Sequence, residues 1–241
     1  MNHKLHACRR RLARLGLNLS RQAGLSIGLG LCMLGWSPLA SAHPHGWVDI
    51  SVRGEFDAQG RLEALRQQWR MDPFYSQVVM EELASVDDDS SMAERLDALG
   101  GEIRNNLATQ HNLTWIDLDG RELAQAEVVD TNTEIDGERL VFEFVLPLAQ
   151  PVALGGHLLR YRVFDPTYYI EMVHEANADG SQPLPEALTL DRAPPGCTTR
   201  IVKAKPDPQK VMEAAMLDKT ETGEPNLGRF FAETGEIRCS G

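Results

Sequence analysis

Two histidines one residue apart, His43 and His45, stand where an export leader is expected to end, in the stretch Ala40-Ser-Ala-His43-Pro-His45-Gly-Trp47-Val-Asp49. Cleavage after Ala42 makes His43 the first residue, so that its α-amine and Nδ1 can chelate a metal together while His45 adds a third nitrogen. An α-amine titrates near pH 8, so a metal displaces its proton at neutral pH. One amine and two imidazoles form a borderline-soft set suited to Zn²⁺, Ni²⁺, Co²⁺ or Cu²⁺. Pro44 excludes the square-planar amino-terminal copper/nickel arrangement, which needs a deprotonated backbone amide at position two. The remaining ligands must then come from elsewhere in the fold. Two Asp-Pro corners are the candidates, Asp72-Pro73 and Asp165-Pro166, each at a strand end beside an aromatic pair, Phe74-Tyr75 and Tyr168-Tyr169. Asp49 and Trp47 share the odd-numbered strand face with the histidines. Asp49 is roughly 13–20 Å from them along an extended chain, so it is read, with Trp47 and Tyr168, as supporting the site rather than ligating. His111, His157 and His174 are scattered. His174, on the same strand face as Tyr168, is the best of the three.

The leader itself has a conventional layout. Lys4, Arg9, Arg10, Arg11, Arg14 and Arg21 precede an apolar run from Leu25 to Trp36, and Pro38 with Ala40 and Ala42 supplies a small-x-small cleavage site. The run is too short for a permanent membrane span, so no anchor is expected after cleavage. The arginine cluster lacks the flanking residues of a twin-arginine signal. Removing 42 of 241 residues leaves 199, enough for one sizeable domain over 43–241. The six basic residues leave with the leader, which deepens the net charge from −11 to −17. A polyanion of this size is a poor partner for nucleic acid or an acidic membrane surface, and attraction for cations is easier to supply.

Of four cysteines, Cys8 and Cys32 lie in the leader. Cys197 and Cys239 remain, and a pair in an oxidising compartment is most simply a disulfide. A zinc–thiolate site is disfavoured because neither has a second ligand at x₂ spacing.

Strands must position these groups. Trp47 to Val52 alternates with period two, Asp57-Ala-Gln-Gly60 is a turn, and Arg61 to Met71 returns, together a long hairpin. After Asp72-Pro73 the period changes. Phe74, Val78 and Leu83 suit a short helix, and Leu96, Leu99, Ile103 and Leu107 an amphipathic one despite Gly100-Gly101, giving a helical insertion over about 74–108. Strands are then expected at Leu113–Leu118, Glu127–Ile135, Leu140–Leu146 and His157–Phe164, with Tyr168–Val173 continuing or restarting the pairing after Asp165-Pro166. A short strand follows at 187–190, a helix from Asp207-Pro208 to about Leu217, and strand-like pieces at 228–232 and 236–239. The expected fold class is mostly β (α+β), a β-sandwich-like domain with a helical insertion and a disulfide-tied C-terminal segment.

Enzyme motifs are sparse: there is no G-x-S-x-G, no H-E-x-x-H and no phosphate-binding glycine loop. An N-terminal histidine chelate is also the ligand set of copper oxygenases acting on polysaccharides, which need a flat aromatic surface and a further distant histidine.

Three motifs together carry a resemblance. The stretch Ala-His43-Pro-His45-x-Trp47-Val-Asp49, the strand end Trp69-Arg-Met-Asp72 with Phe74 and Ser76, and Phe164-Asp165-Pro166-Thr-Tyr168-Tyr169-Ile170 are similar to the bacterial periplasmic proteins of domain-of-unknown-function family 1007. The similarity runs over essentially the whole chain after the leader, including both late cysteines. It implies a secreted protein encoded beside metal-transport systems and often labelled a periplasmic component of an ABC transporter. It supports His43, His45, Asp72 and Asp165 as the site and gives no support to His157 or His174. The bilobal α/β build of ordinary substrate-binding receptors is not expected, because βα alternation is missing.

The expected function is therefore that of a periplasmic metal-binding accessory protein serving a membrane metal transporter, zinc first and nickel, cobalt or copper as alternatives. Its metal ligands are His43, His45 and a carboxylate from Asp165 or Asp72. The rival readings are a copper-dependent redox enzyme using the same histidines and a metal-free interaction module.

Overall fold

The computed structural model describes residues 44–217 and 223–241. The expected leader, its cleavage site and His43 lie outside them. Eleven strands, three α-helices and three short 3₁₀ turns make up the described residues.

The hairpin forms as its alternation dictates. Strand β1 (Gly46–Phe56) turns through Asp57 and returns as β2 (Leu62–Met71). The Asp57 carboxylate fastens the turn by accepting from the Gln59 and Arg61 amides and from the Arg61 guanidinium. Helices α1 (Pro73–Ser85) and α2 (Met92–Ala108) are the expected insertion. Asp72 caps α1 with Pro73 in its first turn, and a Ser91/Glu94 capping box opens α2. Gly100 is tolerated mid-helix because α2 lies close on the sheet there: a Cβ would fall 2.4 Å from the Thr133 hydroxyl.

Strands β3 (Thr114–Leu118), β4 (Arg121–Glu122), β5 (Val129–Asp136), β6 (Arg139–Val152) and β7 (Leu158–Val163) follow, then β8 (Ile170–His174), β9 (Leu188–Asp191), β10 (Cys197–Val202), α3 (Pro208–Met216) and β11 (Thr234–Cys239). They build two sheets. The first has the order β5-β6-β2-β1-β8, with β9 also on β1; the second runs β10-β11-β7-β3-β4. Their inner faces share one core. Val48, Ile50, Val52, Phe56, Leu65, Trp69, Phe142 and Phe144 from the first sheet pack with Ile116, Leu159, Tyr161 and Ile237 from the second. Trp69 sits edge-on to Phe144 with ring centres 5.1 Å apart, a preferred aromatic geometry. Each such fully buried large apolar side chain contributes roughly 1.5–3 kcal/mol. The fold is the expected mostly-β sandwich with a helical insertion.

Four features depart from the sequence expectations. β6 does not stop at Pro147 but runs to Val152, because its register with β2 shifts between Leu62 and Ala64 and absorbs the proline. Residues 170–174 do not extend β7: the chain changes sheets over 164–169, and β8 lies parallel to β1. Residues 228–232 are not strand. Asn226 takes a left-handed φ of 70°, and Leu227–Phe230 winds as a 3₁₀ turn. Finally, Cys197–Val202 is a strand that its polar, exposed Thr198, Thr199 and Arg200 do not announce.

Cys197 stands opposite Cys239 in the β10/β11 ladder, and the two form a disulfide across 42 positions of sequence. The bridge ties the C-terminal segment to the body. Reducing it, or replacing both cysteines by Ser, is expected to lower unfolding free energy by about 3–4 kcal/mol in the chain-entropy view, read as a lowered urea midpoint. No change would mean that the β10/β11 ladder closes the loop unaided.

Among the described residues, no helix is long and apolar enough to cross a membrane.

Candidate functional site

The sheet change at 164–169 brings the sequence-distant candidates to one end of the sandwich. Asp165 is the pivot of that loop. One carboxylate oxygen accepts from the Thr167 amide at 2.9 Å and its hydroxyl at 2.8 Å. The other accepts from the Tyr169 amide at 2.9 Å and the Ile170 amide at 3.1 Å. These bonds fix the loop's exit into β8, whose parallel pairing with β1 puts Tyr169 beside His45. The His45 amide donates to the Tyr169 carbonyl at 2.9 Å, and the two rings stack with centres 4.3 Å apart.

Asp72 reaches the same place from the end of β2. Its amide donates to the Trp47 carbonyl at 3.0 Å, and its Oδ1 caps α1 by accepting from the Tyr75 amide at 3.0 Å. Its Oδ2 accepts no hydrogen bond among the described residues and rests against Gly46, the neighbour of His45. A Cβ built on Gly46 would lie 2.7 Å from it. The glycine thus leaves room for a carboxylate oxygen. Ser76 holds the corner in place: buried, it accepts from the Leu140 amide and donates to the Asp72 carbonyl.

His45, Asp72, Asp165 and Tyr169 line one pocket of about 590 Å³ between the start of β1, the end of β2, the two helices and the 164–169 loop. Apart from Gln110 its walls are otherwise mostly apolar, with Trp69, Met71, Ile103 and Met172 inside and Trp47, Phe74, Tyr75 and Val78 exposed at the rim. Phe74 is 77% exposed, an unusual position for a phenylalanine.

The expected supporting residues divide. Trp47 is at the rim and donates from Nε1 to Asp49 at 3.3 Å. Asp49 is held by Arg139, whose guanidinium reaches it at 2.7 Å and also donates to the Met71 and Arg70 carbonyls. It therefore braces the ends of β1 and β2. Tyr168 points elsewhere. A left-handed φ of 57° breaks the alternation at that residue, and its ring stacks on Phe231 at 4.0 Å, buried beside Leu227 and Ala214. Burial, followed by the nearby Glu171 charge, drives its hydroxyl well above the ordinary tyrosine value. Tyr169 occupies the place that the sequence suggests for Tyr168. Sequence reasoning overlooks Arg139, and names Tyr169 only as half of an aromatic pair without giving it a role at the site. Arg139 has only its position after the Asp136-Gly137 turn as a signal.

The other histidines are engaged away from this pocket. His157 Nδ1 lies 2.6 Å from Asp119, His111 sits near the Trp115 ring, and His174 is buried between Tyr161 and Glu233. Among the described residues no three His, Cys, Asp or Glu side chains form a metal-holding group. The pocket offers one imidazole and one open carboxylate oxygen, at the point where the chain enters from His43.

An uncharacterized protein of Haemophilus influenzae is 22% identical over 201 residues, spanning 82% of this chain and 91% of the relative. No solved structure matches. A family model described as "Protein of unknown function (DUF1007)" matches residues 28–239. That match takes in both Asp-Pro corners, the histidine stretch at the pocket mouth and the disulfide, and so the chain belongs to the DUF1007 family.

Proposed function

We propose that the exported chain, processed to begin at His43, binds a divalent transition metal at the mouth of this pocket and serves a membrane metal transporter in the periplasm. The observation that carries the reading is the open Oδ2 of Asp72 beside Gly46 and His45. Asp165 is the weaker carboxylate, because both of its oxygens already accept hydrogen bonds that shape the loop. The donors are then the His43 amine and imidazole, the His45 imidazole and Asp72, a set of four that fills a tetrahedron and suits zinc. Nickel, cobalt and Cu²⁺ accept the same nitrogen and oxygen donors, whereas Cu(I) prefers sulfur. Export is supported by the disulfide, which persists in an oxidising compartment.

Cobalt(II) titration followed by visible absorption tests the ligand set. The processed chain should develop intense d–d bands with one equivalent of metal, and His45→Ala should abolish them. Bands that survive in His45→Ala would remove His45 from the site.

One observation favours a second reading. The rim of Trp47, Phe74, Tyr75, Val78 and Tyr169 is a cluster of exposed apolar side chains, the kind of patch that marks a protein contact. It suits the docking of a transporter, and it also suits a metal-free interaction module. Indifference of the chain to zinc, nickel, cobalt and copper alike would favour the latter.

A further inference from the structure

A second concavity, of about 360 Å³, lies on the outer face of the second sheet and is lined by Trp115, Asp117, Glu122, Arg160, Arg162, Phe164 and Arg229 among others. On that face two arginines of β7 have contrasting surroundings. Arg160 stands across from Asp117 on β3 and Glu236 on β11, and its guanidinium lies 3.7 and 3.5 Å from their carboxylates. Arg162, one step along the same face, stands across from Trp115. Neither Arg162 nor the nearby Arg229 has a side-chain hydrogen bond or ion pair among the described residues.

Two arginines without an ion pair thus line the same concavity, in a chain with 35 acidic and 24 basic residues. Arg66 is neutralised by three carboxylates and Arg139 by Asp49; Arg162 and Arg229 differ from these, and from other unpaired surface arginines such as Arg104, in lining one concavity together. Burial, and then the repulsion of Arg229, push the Arg162 guanidinium below its ordinary value. An anion placed between the two would relieve that repulsion. Asp117 attracts Arg162 without cancelling that effect, since it also faces Arg160 and accepts from the Gly120 amide in the β3–β4 turn.

The concavity also has a flat wall. The Trp115 ring, half-buried, stacks on the buried Phe164 ring at 4.0 Å and 18°. Phe164 backs one side of the indole, fixing it as a platform. Guanidinium groups bind carboxylate and phosphate oxygens through paired N–H donors, and an indole face accepts a planar body.

We propose that this concavity is a binding site for a planar organic anion, with its carboxylate or phosphoryl oxygens on Arg162 and Arg229 and its flat body against Trp115. The site is separate from the metal reading and does not depend on it. Arg162 and Arg229 recognise charge, and Trp115 selects for a ring over a small anion.

Calorimetric titration of the processed chain with benzoate, phenylphosphonate and acetate tests the site. Benzoate and phenylphosphonate should bind saturably at one site, and acetate about tenfold more weakly because it has no ring to stack. Arg162→Gln and Arg229→Gln should each weaken benzoate binding by about tenfold, the effect of losing a charge-assisted hydrogen bond. Arg104→Gln, an equal loss of charge on the exposed side of α2, should leave it unchanged. Thermal melting of each variant confirms that it is folded. Absence of saturable binding by the unsubstituted chain overturns the proposal. So does a loss in Arg104→Gln equal to that in Arg162→Gln, or acetate binding as well as benzoate.

Discussion

Asp72→Asn is expected to weaken zinc binding by on the order of 10- to 100-fold with less than about 1 kcal/mol of lost stability, and Asp165→Asn to show the opposite ranking. Asparagine is as good an N-cap as aspartate, so at position 72 it keeps the bond from the Tyr75 amide and preserves α1. What it loses is the anionic Oδ2, and a neutral amide is a poor ligand for zinc. At position 165 the balance is reversed. An amide nitrogen in place of Oδ2 turns two donors, the Tyr169 and Ile170 amides, against a third. Two backbone N–H groups then lose their acceptor, which costs about 2–4 kcal/mol in total. Zinc affinity should fall less than in Asp72→Asn, since only the seating of Tyr169 under His45 is disturbed. Chemical denaturation and zinc titration on both variants read the two effects separately. If Asp165→Asn proves the more damaging to zinc binding, the carboxylate ligand moves from Asp72 to Asp165.

The largest effect on stability is expected at His174. It is 2% exposed and joins three segments: its Nε2 meets the Tyr161 hydroxyl at 2.8 Å, and both its Nδ1 and its backbone amide meet Glu233, at 2.9 and 2.8 Å. Tyr161 is fully buried, and burial with the nearby Glu233 charge raises its hydroxyl pKa far above the ordinary value. It therefore stays protonated, and the His174 ring bridges it to Glu233. His174→Leu strands a buried hydroxyl and a mostly buried carboxylate together, which is expected to cost about 3–5 kcal/mol.

The pH dependence of this network has a definite sign. Burial acts to raise the Glu233 pKa, but the His174 hydrogen bonds and charge outweigh it and hold the carboxyl below its ordinary 4.5. A depressed carboxyl contributes stability that is full above the ordinary value and lost as pH falls through the lower folded one. The deficit of Glu233→Gln relative to the parent should therefore be largest at neutral pH and shrink below pH 4.5. Glu171 acts in the other direction. Burial, then the Glu233 charge, raise its pKa, so Glu171→Gln should stabilise the neutral-pH protein. Urea titrations between pH 3 and 7 separate the two, and a Glu233→Gln deficit that does not vary with pH would contradict the assignment.

What the sequence reveals of this molecule follows the range of the interactions involved. The β1–β2 hairpin and the capped helices are legible because alternation, Asp-Pro and the Ser91/Glu94 box are local signals. The disulfide is legible from cysteine number alone. The pocket is only half legible. Asp72 and Asp165 announce corners, but their unequal hydrogen bonding depends on the tertiary structure: Asp165 is satisfied by its own loop, whereas Asp72 faces Gly46 across a strand pair. The stacking of His45 on Tyr169 depends on a parallel pairing between segments more than a hundred residues apart, for which alternation carries no sign. Alternation along a strand that begins at Tyr168 points to Tyr168. The left-handed turn at Tyr168 gives its neighbour the place instead. The network of Tyr161, His174 and Glu233 escapes notice for the same reason, its members being unconnected in sequence until the fold joins them.

Under the proposed function the processed amino terminus is itself a metal ligand at the pocket that holds His45 and Asp72. Calorimetric titration of zinc, nickel and copper into two preparations tests it most directly, one beginning at His43 and one carrying a single extra Ala before it. Tight one-to-one binding that falls by on the order of 100-fold or more with the added Ala is the predicted result, since the extra residue removes the six-membered chelate ring of amine and imidazole. Equal affinity in the two preparations would contradict a role for the amine. Binding in neither would contradict the metal reading altogether and leave the aromatic rim as the functional surface.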